Sequence, residues 1–254
     1  MSKKYAICIG LNNVSSAVYG KVPSLKSAAY DARSMAQLLG MDFDFDDVYQ
    51  ITNSGAYYQK IFACILNIVQ NLDKGDLLVI TYSGHGTQVQ DHNGDEKDKL
   101  DEAWCLYDGL IYDDDLQYLL SKAPGNARIV LISDSCHSGT MAKNFFPGDE
   151  TRKFLDCSDA ILNPKIIRQD FKKNNTTSII SLSGCKDSQY SYDGPVNGAF
   201  TGALLKSLEK DCDISYRKLF TLICDNMTNK KQTPQFNGSG SKLREFYNSK
   251  IFTV

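Results

Sequence analysis

The sequence lacks an excess of basic residues and the short motifs that usually mark a metal or nucleotide site. Its 28 Lys and Arg are balanced by 30 Asp and Glu, which argues against a nucleic-acid partner because such proteins present a strongly positive surface. No C-x-x-C pair occurs among its eight cysteines, which disfavours a structural zinc site or a thioredoxin-type redox pair. Neither G-x-x-x-x-G-K-[ST] nor G-x-G-x-x-G occurs, so a phosphate-binding module is disfavoured too.

Long hydrophobic runs are also missing. Apolar runs such as Leu77–Ile80 are too short to cross a bilayer. The first residues, Met1–Lys4, lead into a β-type run without the small-residue cleavage site of a signal peptide. We therefore expect a cytoplasmic protein with no membrane partner, in which the dispersed cysteines are reduced and mostly buried.

What the sequence does contain is an alternation of short apolar runs and longer helical patterns. The runs predict strands at Tyr5–Gly10, Asp47–Ile51, Leu77–Ser83, Arg128–Ser133 and Thr177–Ser183. The helical patterns cover Leu25–Leu39, Tyr57–Leu72, Asp114–Ser121, Ala199–Glu209 and Tyr216–Asn229. Continuous runs of Ile, Val and Leu are typical of parallel strands buried on both faces. The alternation predicts an α/β fold with a mostly parallel central sheet, formed as one domain over residues 1–254.

Two motifs that can support nucleophilic chemistry follow two of these strands. The first, YSGHG, contains His85 and Gly86, and the second, DSCHSG, contains Cys136. Because ligands bind beyond the carboxyl ends of parallel strands, His85 and Cys136 are expected to meet. A histidine beside a thiol can take its proton, and the N–H groups of Gly86 and Cys136 would form an oxyanion hole. The pattern predicts a catalytic Cys-His dyad, although no third side chain that would orient His85 is evident.

These motifs resemble those of metacaspases and bacterial orthocaspases, which are caspase-like cysteine peptidases. The likeness rests on Leu25–Ala32, Tyr82–Gln88, Asp91–Glu102, Asp134–Gly139, Ser181–Lys186 and Gly198–Leu205. In the first of these segments, Tyr30 stands where the family has Asn. The resemblance implies a caspase-type α/β/α sandwich and cysteine endopeptidase activity. It also implies a large-subunit-like part (1–140), a linker (141–175) and a small-subunit-like part (176–254).

The resemblance assigns Asp31, Ser83 and Asp134 to the primary specificity pocket. Two carboxylates in a narrow pocket complement an arginine or lysine side chain and repel an aspartate. We therefore expect protein or peptide substrates with Arg or Lys at the cleavage site. The linker 141–175 carries seven basic residues of its own, so autoprocessing in this linker is also predicted.

The acidic stretch 91–115 is expected to form an elaborated loop of the single domain. It raises the question of calcium, because clustered carboxylates are ligands for this ion. An EF-hand is excluded since Glu96 stands where that loop requires glycine. The resemblance implies calcium ligands at Asp101, Asp113 and Asp114, but the family's fourth ligand position is Lys143 here. We hypothesise that the charge of Lys143 replaces the ion, and we expect no metal and no cofactor.

Two alternatives use the same residues differently. A caspase-fold interaction module would keep the fold with an inert dyad. A Cys-dependent acyl transferase or ligase would use the same thiolate but pass the acyl group to an acceptor other than water. For the oligomeric state, the sequence gives no direct signal and a monomer is favoured.

Overall fold

Short apolar runs rich in Ile, Leu and Val form the central strands of the fold. The structure, a computed structural model, describes residues 2–90, 100–135, 152–155, 157, 177–186, 189–227 and 231–254. Its strands are β1 (Lys4–Gly10), β2 (Asp47–Thr52), β3 (Leu77–Ser83), β4 (Gly86–Gln90), β5 (Leu100–Cys105), β6 (Leu110–Tyr112), β7 (Arg128–Asp134), β8 (Ser178–Ser183) and β9 (Gln235–Ser239). Its α-helices are α1 (Ser16–Tyr19), α2 (Ala28–Gln37), α3 (Tyr58–Gln70), α4 (Asp113–Leu120), α5 (Ala199–Lys210), α6 (Tyr216–Asn226) and α7 (Leu243–Asn248).

The central sheet has the strand order β2-β1-β3-β7-β8-β9. Its first five strands are parallel, and β9 runs antiparallel to β8. The register pairs Gly10 with Ser83 and Ser83 with Asp134, so β1, β3 and β7 end in one row. A second, antiparallel sheet of β4, β5 and β6 begins at Gly86, just beyond the end of β3.

Alternate side chains of the central strands pack into two separate hydrophobic layers. On β1, Ala6 and Cys8 pack in one cluster with residues of α2, α5, α6 and α7. Ile7 and Ile9 face the other way and pack with residues of α3 and α4. Burial on both faces explains why these strands have continuous apolar runs. The predicted α/β/α sandwich with a mostly parallel sheet is confirmed.

The five predicted strands lie within one residue of the observed ones, whereas the smaller elements were not predicted. The acidic stretch was expected to be an elaborated loop, and over residues 100–115 this expectation is wrong. Here β5 and β6 form an antiparallel pair, followed directly by the start of α4. Acidic residues disfavour strands on propensity alone, but the pairing with β4 overrides this preference. The predicted helix at 25–39 begins later, at Ala28, and continues as a π-helical turn at Leu38–Asp42.

None of the described helices is long and apolar enough to span a membrane. The division into two subunit-like parts and a linker stays a prediction, as most of the linker lies outside the described residues.

Candidate active site

The ends of β3 and β7 bring the predicted site residues to one edge of the sheet. Ser83 is the last residue of β3, Asp134 is the last residue of β7, and the two are paired in register. The loop that carries His85 is joined to the end of β7, because the Gly84 N–H donates to the Asp134 carbonyl at 3.5 Å. The third predicted pocket residue, Asp31, lies on α2 and reaches Ser83, whose hydroxyl donates to the Asp31 carboxylate at 2.6 Å.

The two carboxylates form the floor of a buried pocket. Asp31 and Asp134 are each 1% exposed, and buried carboxylates are stable only when they are paired or hydrogen-bonded. Asp134 accepts from the Ser191 hydroxyl at 2.5 Å and from both the N–H and the hydroxyl of Thr201. Asp31 accepts from the Asn197 amide and from the Gly198 N–H, each at 2.9 Å. These donors hold both carboxylates in place with oxygens directed into the pocket.

The side chain of Lys153 fills this pocket. Its Nζ lies 3.2 Å from Asp31 Oδ2, 3.2 Å from Asp134 Oδ2 and 2.8 Å from Ser83 Oγ. The side chain is 0% exposed, so three acceptors face the three hydrogens of a fully buried ammonium group. Burial disfavours the charge on Lys153, but the carboxylates of Asp134 and Asp31 outweigh this effect and raise its pKa above the usual value. The pocket is therefore occupied by a charged basic side chain of this same chain.

The backbone around Lys153 lies between the start of β4 and the Ser191–Tyr192 segment. The Lys153 N–H donates to the Ser191 carbonyl at 3.0 Å, and the Lys153 carbonyl accepts from the Gly86 N–H at 2.8 Å. The Leu155 N–H donates to the Gly86 carbonyl at 2.9 Å. The Gly86 N–H, which the sequence predicted as an oxyanion donor, thus contacts the carbonyl oxygen of the residue whose side chain fills the pocket.

His85 is held in a single orientation by a backbone carbonyl. The ring is 2% exposed, and its Nε2 lies 3.1 Å from the Pro23 carbonyl oxygen. A carbonyl can only accept, so Nε2 carries the hydrogen and Nδ1 keeps its lone pair. Nδ1 is buried and has no hydrogen-bond partner among the described residues. Burial lowers the pKa of His85 to about 4, so the ring is neutral near pH 7 and Nδ1 can accept a proton.

The Tyr82 side chain is hydrogen-bonded to the loop that carries His85 and precedes β4. Its hydroxyl donates to the His85 carbonyl at 2.6 Å and lies 2.9 Å from the Cys105 carbonyl. Its ring stacks on Trp104 with centroids 4.5 Å apart. Because the ring and the hydroxyl are both buried, the position of His85 depends on this contact.

We expect Tyr82→Phe to lower the free energy of unfolding by about 0.5–1.5 kcal/mol, since it removes a buried hydrogen bond to the His85 carbonyl, which keeps its second bond, from the Cys105 N–H at 2.9 Å. Denaturant unfolding of the two proteins measures the difference. Tyr49→Phe is the matched control, because Tyr49 is 43% exposed and should show no change. Equal stabilities of Tyr82→Phe and the parent protein would contradict this role.

Cys136, the predicted nucleophile, lies outside the described residues, as does its N–H, the second predicted oxyanion donor. The chain leading to it is described up to Ser135, which is 1% exposed. Its hydroxyl pairs with that of Ser133 at 2.8 Å, and Ser133 accepts from the Trp104 indole at 3.1 Å. The residue that precedes Cys136 is therefore anchored beside the end of β7.

The residues expected to concern calcium are only partly described. Asp101 is 1% exposed on β5, Asp113 and Asp114 begin α4, and Lys143 lies outside the described residues. Among the described residues, no group of three or more His, Cys, Asp or Glu could hold a metal ion. No step in the chemistry below is routed through a metal, and the hypothesis on Lys143 stays a prediction.

Three parts of the site were missed by the sequence reasoning. The Pro23 carbonyl has no sequence signal, because any residue in that position offers the same group. Asn197 and Gly198 reach the pocket from a loop far along the chain, and only the fold brings them to Asp31. Lys153 was one of seven basic linker residues, and nothing in its local sequence distinguished it.

Comparison with known proteins gives three kinds of match. A family model described as "Caspase domain" matches residues 3–245. Metacaspase-1 of Cryptococcus neoformans (strain JEC21) is 28% identical over 93% of this chain, which spans about 62% of that protein's length. Metacaspase-3 of Arabidopsis thaliana is 30% identical, over 93% of this chain and 68% of its own.

Two solved structures are similar to this chain over most of its length. The crystal structure of protein GSU0716 from Geobacter sulfurreducens has a TM-score of 0.85 and 36% identity, and the match covers 99% of both chains. Caspase-1 from Spodoptera frugiperda has a TM-score of 0.62 at 13% identity, over 93% of this chain and 88% of that one. The last match bears on the fold alone.

Proposed function

The chain belongs to the caspase-domain family, and on this premise we propose that it is a cysteine endopeptidase that cleaves after lysine or arginine. Cys136 is the nucleophile, His85 is the general base and acid, and Asp31, Ser83 and Asp134 bind the basic side chain. The arrangement of Lys153 is the observation that carries the proposal. It combines a basic side chain on two carboxylates with a carbonyl oxygen on the Gly86 N–H.

The chemistry follows from the state of His85. Nδ1 of the neutral ring takes the proton from the Cys136 thiol, and the thiolate attacks the carbonyl carbon of the residue in the pocket. Charge then develops on that carbonyl oxygen, which the Gly86 N–H stabilises. His85 returns the proton to the departing amine, and water hydrolyses the acyl-enzyme. The Pro23 carbonyl keeps the ring oriented and stabilises the imidazolium that forms in between.

The pocket accounts for the preference for a basic residue. Two carboxylates at the end of a buried pocket attract an ammonium or guanidinium group, and desolvation strengthens the attraction. An aspartate would add a third negative charge without any cation to compensate it. Peptides with lysine or arginine before the cleaved bond should therefore be hydrolysed, while matched aspartyl peptides should not. Cleavage of the aspartyl peptides alone would refute the proposed specificity.

The position of Lys153 also supports autoprocessing at one particular bond. With its side chain in the pocket and its carbonyl on Gly86, the bond to Phe154 is the one presented for cleavage. We expect mass spectrometry of the purified protein to find fragments ending at Lys153 and beginning at Phe154. Because each chain presents its own linker, the rate should not depend on protein concentration.

Three variants make this test specific. Cys136→Ala should remain intact, and Lys153→Ala should lose the cut at this bond. Lys165→Ala, which changes another basic linker residue, should keep it. Cleavage that persists in Cys136→Ala would mean that another protease cuts the linker, and the proposed autoprocessing would be wrong.

The calcium hypothesis has its own measurement. If the charge of Lys143 replaces the ion, hydrolysis of a lysyl peptide should proceed at the same rate in chelator and in millimolar calcium. Lys143→Asp should then make the rate respond to calcium, because it restores an oxygen ligand. Strong stimulation of the wild-type protein by calcium would contradict the hypothesis.

A further inference from the structure

The ring of Tyr190 contacts the side chains on both sides of Lys153. The Arg152 guanidinium carbon lies 4.3 Å from the ring centroid. The Phe154 ring meets it edge-on, with centroids 6.2 Å apart. Tyr190 lies next to Ser191, whose carbonyl binds the Lys153 N–H. One aromatic ring is therefore placed beside the residue in the pocket, outside the pocket itself.

The backbone geometry explains this placement. Arg152 pairs with Tyr192 in an antiparallel bridge, and Phe154 pairs with Gly86 in a parallel one. Lys153 itself lies at a bend between these two bridged residues. While Lys153 enters the carboxylate pocket, its two neighbours point away from it and meet Tyr190. A substrate bound with the same backbone contacts would present its preceding residue to the same ring.

A guanidinium stacked on a tyrosine ring is attracted by the negative face of the ring, and a neutral side chain of equal size is not. We propose that Tyr190 selects a basic residue immediately before the one in the pocket, so that the preferred substrates are dibasic, with an Arg-Lys pair as in this chain's own linker. This inference rests on the proposed function and adds a second specificity-determining residue to it.

The test compares two peptides that differ by one charge. Both end in lysyl-aminomethylcoumarin, and the preceding residue is arginine in one and citrulline, its neutral isostere, in the other. For the self-processed wild-type enzyme, we expect kcat/KM to be about three- to thirtyfold higher for the arginine peptide. Tyr190→Phe, which keeps the ring, should retain this ratio, whereas Tyr190→Leu should bring it close to one.

Each outcome is decisive. Equal rates for the two wild-type peptides would overturn the inference and leave the proposed function standing, because both peptides are still cleaved after lysine. A ratio that survives in Tyr190→Leu would also overturn it, since the preference would then come from another group. Should Tyr190→Leu fail to fold, judged by its thermal unfolding, Tyr190→Met provides the same comparison. Failure to cleave either peptide would overturn the proposed function and this inference together.

Discussion

Gly198→Ala is expected to abolish cleavage after lysine or arginine while leaving the fold intact. A Cβ at this position would lie 2.3 Å from Asp134 Oδ2, 2.4 Å from Lys153 Nζ and 3.0 Å from Asp31 Oδ2. The added methyl group would thus overlap with both the Asp134 carboxylate and the ammonium group, and they could not keep their present positions. The φ of Gly198 is −57°, which any residue can adopt, so the effect is one of space and not of backbone strain.

We expect kcat/KM for a lysyl peptide to fall at least about a hundredfold, because misplacing a bound group by about an ångström costs this much. The linker should leave the pocket as well, so added trypsin should cut after Lys153 faster than in the parent protein, in a Cys136→Ala background. Gly202→Ala is the matched control. It changes a glycine four residues on, where the new Cβ would meet only Asn197 Cβ at 3.6 Å. If Gly198→Ala and Gly202→Ala cleave equally well, Lys153 does not mark the substrate pocket.

Asp134→Asn is the second change with a large expected effect. It keeps the shape of the side chain but removes one of the two charges that hold the ammonium group 3.2 Å away. Breaking a buried ion pair on one side costs about 3–5 kcal/mol, which corresponds to a fall of about 10²- to 5 × 10³-fold in kcat/KM for a lysyl peptide. Asp46→Asn, at an exposed carboxylate that accepts from the Lys4 N–H, should leave the rate unchanged.

Asp134→Asn should also change the stability of the uncut chain, because it breaks the ion pair between Asp134 and Lys153. In Cys136→Ala protein, where the linker stays uncut, Asp134→Asn should lower the free energy of unfolding by about 3–5 kcal/mol. Once Lys153→Met has removed the ammonium group, the same change should cost little or even stabilise, because it relieves repulsion between buried carboxylates. An equal loss in both backgrounds would mean that Asp134 is held by its hydrogen bonds alone.

The sheet and half of the site could be predicted from sequence because their signals are local. Continuous apolar runs define buried strands, and parallel strands align their carboxyl ends, which puts Ser83 and Asp134 side by side. The assignment of Asp31, Ser83 and Asp134 to the pocket came from the resemblance, and the fold brings Asp31 to Ser83 from α2. The strand at 100–105 was not predicted, because acidic residues are uncommon in strands and this strand is specified by its pairing with other segments of the chain.

The rest depends on contacts between distant parts of the chain. The carbonyl that orients His85 belongs to Pro23, 62 residues earlier. Because every residue has a backbone carbonyl, the sequence does not indicate which of them contacts His85. The choice of Lys153 among seven basic linker residues needs the bridges to Gly86 and Tyr192 that align the segment. Such pairing is set by register across the cleft, and register is not visible in a short polar stretch.

The most direct test of Cys136 as the nucleophile beside a lysine-binding pocket is covalent labelling. The self-processed protein is treated with a peptidyl-lysine acyloxymethyl ketone and then analysed by peptide mapping. We expect one adduct, on Cys136, that is lost in Gly198→Ala and kept in Gly202→Ala, and little reaction with the aspartyl version of the probe. A label on another of the eight cysteines with Cys136 unmodified, or equal labelling by the aspartyl probe, would contradict it.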